Sequence, residues 1–374
     1  MKTDPNHVMR QALSWAIVVL LLVGCGVSPT SPAVPAPTST LAPAANLPTA
    51  TPPSQPRADG LSEQDVATLA SLKKVDDYPL YTMRYQGPLD LRGTLETMEG
   101  LAGAKLPSTW ACSLFAALGD PQHMLYGRNF DWEYSPALLL FAAPPDGYAS
   151  VSMVDIAYLG FGGQQASSVT DLPLTERRAL LSAPFLPFDG MNEHGLTVGM
   201  AAVPPGDMNP DPNKESIDSL RIIRKVLDQA GNVDEAVAMM QRYNISMEGG
   251  PPLHYLMADR TGRAALVEFY RGKMIVIPND KAWHQATNFL RSSVGGDGSR
   301  AEGQCWRYDT LFRRLTDVEG RLSTQGAMSL LADVSQNNTQ WSVVYDMITG
   351  EVMVTMGRRA SGGDPRTFRL DLSK

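Results

Sequence analysis

Cys112-Ser113-Leu114-Phe115, a polar turn at Gly119-Asp120-Pro121-Gln122, and Tyr126-Gly127-Arg128-Asn129-Phe130-Asp131-Trp132 read as two short strands of one hairpin. A cysteine opens the first strand, and an arginine and an aspartate leave the second. With the strands adjacent and antiparallel, both charged side chains are expected back beside the thiol. Cys112 is therefore the candidate nucleophile. Two plainer readings stand beside it: a strand cysteine is commonly a small buried hydrophobe, and Arg128 with Asp131 would serve equally as a structural ion pair.

Upstream of the hairpin the chain changes character. Lys2 and Arg10 precede an apolar run from Trp15 to Val23, too short for a comfortable membrane span and laid out like a secretory signal. Its end, Leu22-Val23-Gly24-Cys25, resembles the bacterial lipobox, which implies removal of residues 1–25 up to the cysteine and lipidation of Cys25. An uncleaved N-terminal anchor is the alternative. Either way, the body is expected outside the cytoplasmic membrane, as a membrane-anchored lipoprotein. Residues 26–60 are Pro, Ala, Thr and Ser with hardly a large apolar side chain, so they cannot offset their ordering entropy and read as a disordered tether.

Folding is expected from Leu61. Residues 61–111 form an N-terminal segment, with a helix over 62–75 and a strand over 78–85, and residues 112–374 form the main domain. Residues 88–108 read as a loop with a short helix. Strands are expected at 137–143 and 148–156, and loops at 160–163 and 184–188. A polar turn and buried strand follow at Asp189–Met200, then helices over 216–230 and 233–243. Further strands are expected at 252–259, 264–270, 274–278 and 282–288. A glycine-rich loop at 295–298 precedes helices near 305–315 and 324–334, with late strands at 341–348, 351–356 and 367–370. Strands and helices segregate in runs, which indicates an α+β fold.

Composition narrows the function. A net charge of -7 argues against a nucleic-acid partner, whose phosphates need a basic face. Three cysteines make no disulfide framework, and the five histidines show no metal-ligand spacing. Gly-x-Ser-x-Gly, P-loop and His-Glu-x-x-His patterns are absent. Ser71-Leu72-Lys73-Lys74 formally matches Ser-x-x-Lys, but it lies on an amphipathic segment with no Lys-Thr-Gly downstream.

Four landmarks in order carry a resemblance. They are Cys112 with Tyr126–Trp132, then Gly190-Met191-Asn192-Glu193-His194-Gly195-Leu196, then Ala286-Thr287-Asn288-Phe289, then Cys305-Trp306-Arg307-Tyr308. Together they resemble the choloylglycine hydrolase (linear amide C–N hydrolase) family of N-terminal-nucleophile enzymes. The resemblance implies a four-layer αββα sandwich, a cut between Ala111 and Cys112, and hydrolysis of a linear non-peptide amide, an N-acyl small molecule, without metal or organic cofactor. It also implies roles. Arg128 would favour the thiolate and Asp131 would hold the new α-amine. Asn288 and a backbone N–H near Ala202 would bind the oxyanion, and Arg307 would close the polar side of the site.

The chemistry is coherent in its own terms. An α-amine with a pKa near 8 can act as base for a thiol near 8.5 on the same residue. Asn192 and Glu193 read most simply as turn residues, and Cys305 as inert packing. Ala202 stands where bile-salt hydrolases often carry asparagine, which speaks against bile-salt specificity. An acyltransferase using the same acyl-enzyme, or a binding lipoprotein with an inactive thiol, are the alternative functions.

Overall fold

Ser62 begins the first element of the fold in a computed structural model that describes residues 60–89, 111–206, 208–294, 301–357 and 364–372. The signal segment, Cys25, the tether up to residue 59, most of the loop expected at 88–108 and the glycine-rich loop at 295–298 lie outside the described residues. The Ser62 hydroxyl accepts the Asp65 N–H at 3.1 Å, and the Asp65 carboxylate accepts the Ser62 N–H at 2.9 Å. This reciprocal cap starts helix α1, Glu63–Ala70. The helix stops short of the expected Val75. Beyond Leu72 the apolar spacing lapses, and Lys73–Asp76 (β1) pairs antiparallel with Leu80–Tyr85 (β2) instead.

The other strands follow in chain order: Ala111–Ala117 (β3), Leu125–Asp131 (β4), Ala137–Ala142 (β5), Ser150–Asp155 (β6), Asp189–Asn192 (β7) and Thr197–Ala202 (β8). Then come Glu215–Asp218 (β9), Tyr243–Ser246 (β10), Leu253–Ala258 (β11), Ala264–Tyr270 (β12), Lys273–Pro278 (β13) and Trp283–Ala286 (β14). The last are Thr339–Asp346 (β15), Glu351–Met356 (β16) and Arg366–Arg369 (β17). Helices α2 (Arg221–Gln229), α3 (Val233–Met240), α4 (Trp306–Asp317) and α5 (Thr324–Asp333) complete the regular elements used below. One large sheet runs β1-β2-β5-β6-β7-β8-β11-β12-β13 and the other β14-β3-β4-β15-β16-β17.

Side-chain alternation along the hairpin decides how these sheets stack. Cys112, Leu114, Ala116, Tyr126 and Phe130 point inward and share one core with Val198, Met200, Leu256 and Trp341. Phe115, Ala117 and Leu125 point outward, under Leu311 and Leu315 of α4 and Met328 and Leu331 of α5. On the far side of the larger sheet, Leu69 of α1 and Leu180 of a 3-10 run (Arg178–Phe185) cover Tyr81, Met83, Leu138 and Leu140. Helix α2 packs on β7 and β8. The result is the expected helix-sheet-sheet-helix sandwich.

Two helix boundaries differ from expectation for one reason. Residues 216–218 and Tyr243, expected at helix ends, lie instead in the parallel strands β9 and β10. The Asp218 carboxylate then accepts the N–H groups of Leu220 at 3.0 Å and Arg221 at 2.8 Å, and α2 starts only there. An aspartate favours such a cap over a helix interior.

Asp155, at the end of β6, is fully buried and accepts the Ala157 N–H at 2.9 Å. Burial lifts its carboxyl from the ordinary 3.8 to about 7, against partial relief from Ser135 and the Ala157 N–H. A raised acid binds its proton more tightly folded than unfolded, so this group's contribution to stability falls as pH rises from about 4 to about 7. Asp155→Asn keeps the accepting oxygen and removes the charge. Relative to the parent it is expected to gain on the order of a few kcal/mol between about pH 4 and about pH 8, read from urea midpoints.

Candidate active site

The hairpin register sets which side chains meet the thiol. Cys112 stands opposite Phe130, Leu114 opposite Arg128, and Ala111 opposite Asp131. Arg128 therefore shares the inner face with Cys112, and its Nη2 lies 3.8 Å from Sγ. Asp131 is an odd number of residues from Arg128 and takes the other face. There its carboxylate accepts the Thr339 hydroxyl and, at 2.9 Å, the Gln336 amide. The expectation that both charges return beside the thiol thus holds for Arg128 alone. The period of two separates the pair.

Arg128 is fully buried, and its partner is Asp189, the first residue of β7. The Tyr345 hydroxyl donates to the other oxygen of the same carboxylate. Burial pushes the Asp189 carboxyl up, and the Arg128 charge and the Tyr345 hydroxyl offset part of that rise. Asp189's charge in turn keeps the guanidinium protonated. Gly199 on β8 admits this arrangement, because a Cβ there would stand 2.7 Å from the Tyr126 hydroxyl and 3.2 Å from the Asp189 Cβ.

Asn288 reaches the site from the loop after β14. Its Oδ1 accepts the Cys112 N–H at 2.7 Å and Arg307 Nη2 at 2.8 Å, and its Nδ2 donates to the Ala202 carbonyl at 2.7 Å. Two donors at one end and an acceptor at the other define the amide's orientation. In this intact chain, then, Asn288 holds the nitrogen of the nucleophile residue, and Ala202 presents its carbonyl to the site. Arg307, in the first turn of α4, also donates to the Cys112 carbonyl and, at 3.0 Å, to the Ser113 hydroxyl. The arginine from the helix layer thus grips the backbone on which the thiol sits.

The thiol itself is buried, and burial pushes its pKa up. The Arg128 charge and hydrogen bond pull it back, with a smaller contribution from Arg307, while Asp131 adds to the rise. In the intact chain the protonated thiol is therefore favoured at neutral pH.

Glu193 is a turn residue, as expected, whereas Asn192 is the last residue of β7 and binds the turn with its side chain. Asn192 Oδ1 accepts the N–H groups of His194 and Leu196, its Nδ2 donates to the carbonyls of Leu227 and Ala230, and Glu193 accepts the Ala149 N–H. Cys305 lies at the N-cap of α4 with no side-chain cap bond. The residues missed in the sequence are Asp189, Tyr345 and Ser113. The available signal for Asp189 was an acid directly after the apolar run Phe185–Phe188; such an acid has to have a buried partner.

Residues 112–292 match the family model described as linear amide C-N hydrolases, choloylglycine hydrolase family. No curated protein matches the chain. Solved structures similar to it include a variant of the conjugated bile acid hydrolase from Clostridium perfringens, 16% identical, covering 70% of this chain and 98% of that one, with a TM-score of 0.47. The penicillin V acylase from Agrobacterium tumefaciens is 18% identical, covering 70% of this chain and 88% of its own, at a TM-score of 0.45. The match starts at the hairpin cysteine, so over residues 112–292 the chain is similar to the choloylglycine hydrolase family of linear amide C-N hydrolases.

Proposed function

We propose that this chain is a cysteine amidase that cuts itself between Ala111 and Cys112 and then hydrolyses a linear N-acyl amide with an apolar acyl group. One observation carries the reading: a single residue offers its thiol to Arg128 and its nitrogen to Asn288. After the cut that nitrogen is an α-amine, able to take the thiol proton. The thiolate attacks the amide carbonyl, forming a C–S bond and an oxyanion. Asn288 Nδ2, together with a backbone N–H near Ala202, would donate to that oxyanion. Loss of one such donor costs on the order of a hundredfold in rate. Collapse breaks the C–N bond, and the amine leaves with the proton held by the α-ammonium. Water, deprotonated by the freed α-amine, then cleaves the thioester to release the acid and restore the thiol. Asp131 acts at one remove, its negative charge favouring the protonated amine. The steps require no metal or organic cofactor.

The cut would leave the lipid anchor at Cys25 on the smaller piece. Retention of the larger piece is supported by β2, which runs parallel to β5 from Leu80↔Ala137 to Tyr85↔Ala142 within the larger sheet. Leu69, Leu80, Tyr81 and Met83 are buried, each contributing about 1.5–3 kcal/mol. Intact mass after denaturation is expected to give two pieces divided before Cys112, co-eluting on native gel filtration. Iodoacetamide is expected to label Cys112 and stop turnover. An uncut chain that hydrolyses amides overturns the reading. A panel of bile salts, penicillin V, N-acyl amino acids, N-acylethanolamines and acyl homoserine lactones identifies the acyl group and amine.

A further inference from the structure

Glu268 is a carboxylate buried between the two sheets that none of the steps above uses. It sits on β12, fully buried, and accepts three donors: the Arg291 N–H at 2.9 Å, the Ser292 N–H at 2.8 Å and His254 Nδ1 at 3.2 Å. Burial alone would raise its carboxyl, but donation from His254 and from Ser292 holds it below the ordinary value. Its partners lie on both sides of the site. Arg291 and Ser292 open a 3-10 turn directly after the loop that carries Asn288. His254, on β11, stands opposite Ala201 of β8, next to the Ala202 carbonyl that Asn288 contacts.

A second tie runs the same way. His284 of β14 donates from Nε2 to the Ile277 carbonyl of β13 at 3.0 Å and accepts the Gln285 N–H at Nδ1. That fixes the neutral tautomer, and burial, with the Arg291 charge, lowers its pKa to about 4. These ties fasten the chain on either side of Thr287 and Asn288 to the sheet that carries Ala202.

We infer that Glu268, held by His254, is a positioning residue: it sets the loop so that the Asn288 amide bridges the Cys112 nitrogen and the Ala202 carbonyl. The inference deepens the amidase reading and rests on it for its kinetic arm. A two-carboxylate-oxygen grip on consecutive N–H groups leaves the loop little freedom to slide. Displacement of such a group by about 1 Å can cost on the order of a hundredfold in rate.

Glu268→Asp keeps the charge and shortens the reach by one methylene, so it tests position rather than electrostatics. It is expected to lower kcat about tenfold to a hundredfold with KM within about threefold of the parent. In an Asn288→Ala background the same change is expected to cost less than about twofold, because the residue through which it acts is gone. Equal losses in both backgrounds, or a parent-like kcat in the single variant, overturn the inference. A crystal structure of Glu268→Asp gives a readout free of activity. Asn288 Oδ1 is expected beyond hydrogen-bond reach of the Cys112 nitrogen, and an unmoved Asn288 overturns the inference. Where the aspartate variant does not fold, His254→Gln takes its place with the same outcomes. A parent that hydrolyses nothing in the panel sinks the amidase reading separately, and the crystal structure then decides the positioning role alone.

Discussion

Cys112→Ala is expected to leave a full-length chain, uncut before residue 112, and to lower amide hydrolysis by about ten-thousandfold or more. The size of that effect separates chemistry from folding. Ten-thousandfold corresponds to about 5.5 kcal/mol of barrier. Deleting one buried sulfur costs roughly 1 kcal/mol in transfer and cavity terms. Arg128 keeps its Asp189 partner when the sulfur goes, so no buried charge is stranded. The variant should therefore unfold within a few degrees of the parent while losing both activities. Cys112→Ser retains an oxygen nucleophile whose proton is far harder to remove, and is expected to fall between the two. Intact mass and initial rates on the best substrate of the panel check all three proteins. An alanine variant with parental amidase activity would remove Cys112 from the mechanism.

The hairpin was legible because its two signals are local. Side chains alternate between two faces, both of them buried, along Cys112–Ala117 and Leu125–Asp131, and the turn between them is polar. The same alternation, followed one step further, places Arg128 and Asp131 on opposite faces, so the separation of that pair was available in the spacing alone. Asn288 and Arg307 could be picked out as site residues because each sits in a short motif. What each donates to is another matter. Asn288 meets Cys112 across two strands of one sheet, and Ala202 from the other sheet, and such contacts depend on stacking that no local pattern encodes. Asp189 stayed hidden for a similar reason: its partner, Arg128, comes from the facing sheet, and its second donor, Tyr345, from β15. Propensity also misled at Ile217 and Tyr243. Their apolar spacing suits a helix, but the strand pairing of Ile217 with Ile245 and of Tyr243 with Glu215, together with the Asp218 cap, decides the local structure.

Asp189→Asn is expected to act in two directions at once, and the signs distinguish its role from that of a generic core polar group. The pair it forms with Arg128 is completely buried. Removing one partner of such a pair commonly costs about 3–5 kcal/mol, since the remaining charge is left without compensation in a medium that solvates it poorly. The urea midpoint should fall accordingly. The guanidinium left behind then has Cys112 Sγ as its nearest anionic candidate, already within 3.8 Å. Burial raises the thiol in the parent, and Arg128 opposes that rise while sharing its charge with Asp189. With Asp189 neutral, that opposition strengthens, so the thiol titrates at lower pH than in the parent. The pH profile of iodoacetamide labelling at Cys112 is expected to move down, even as the protein becomes less stable. Turnover should drop, because Arg128 loses the anchor that aims it. A profile that moves up, or a midpoint unchanged within about 0.5 kcal/mol, would show that Asp189 neither compensates Arg128 nor holds it against the thiol.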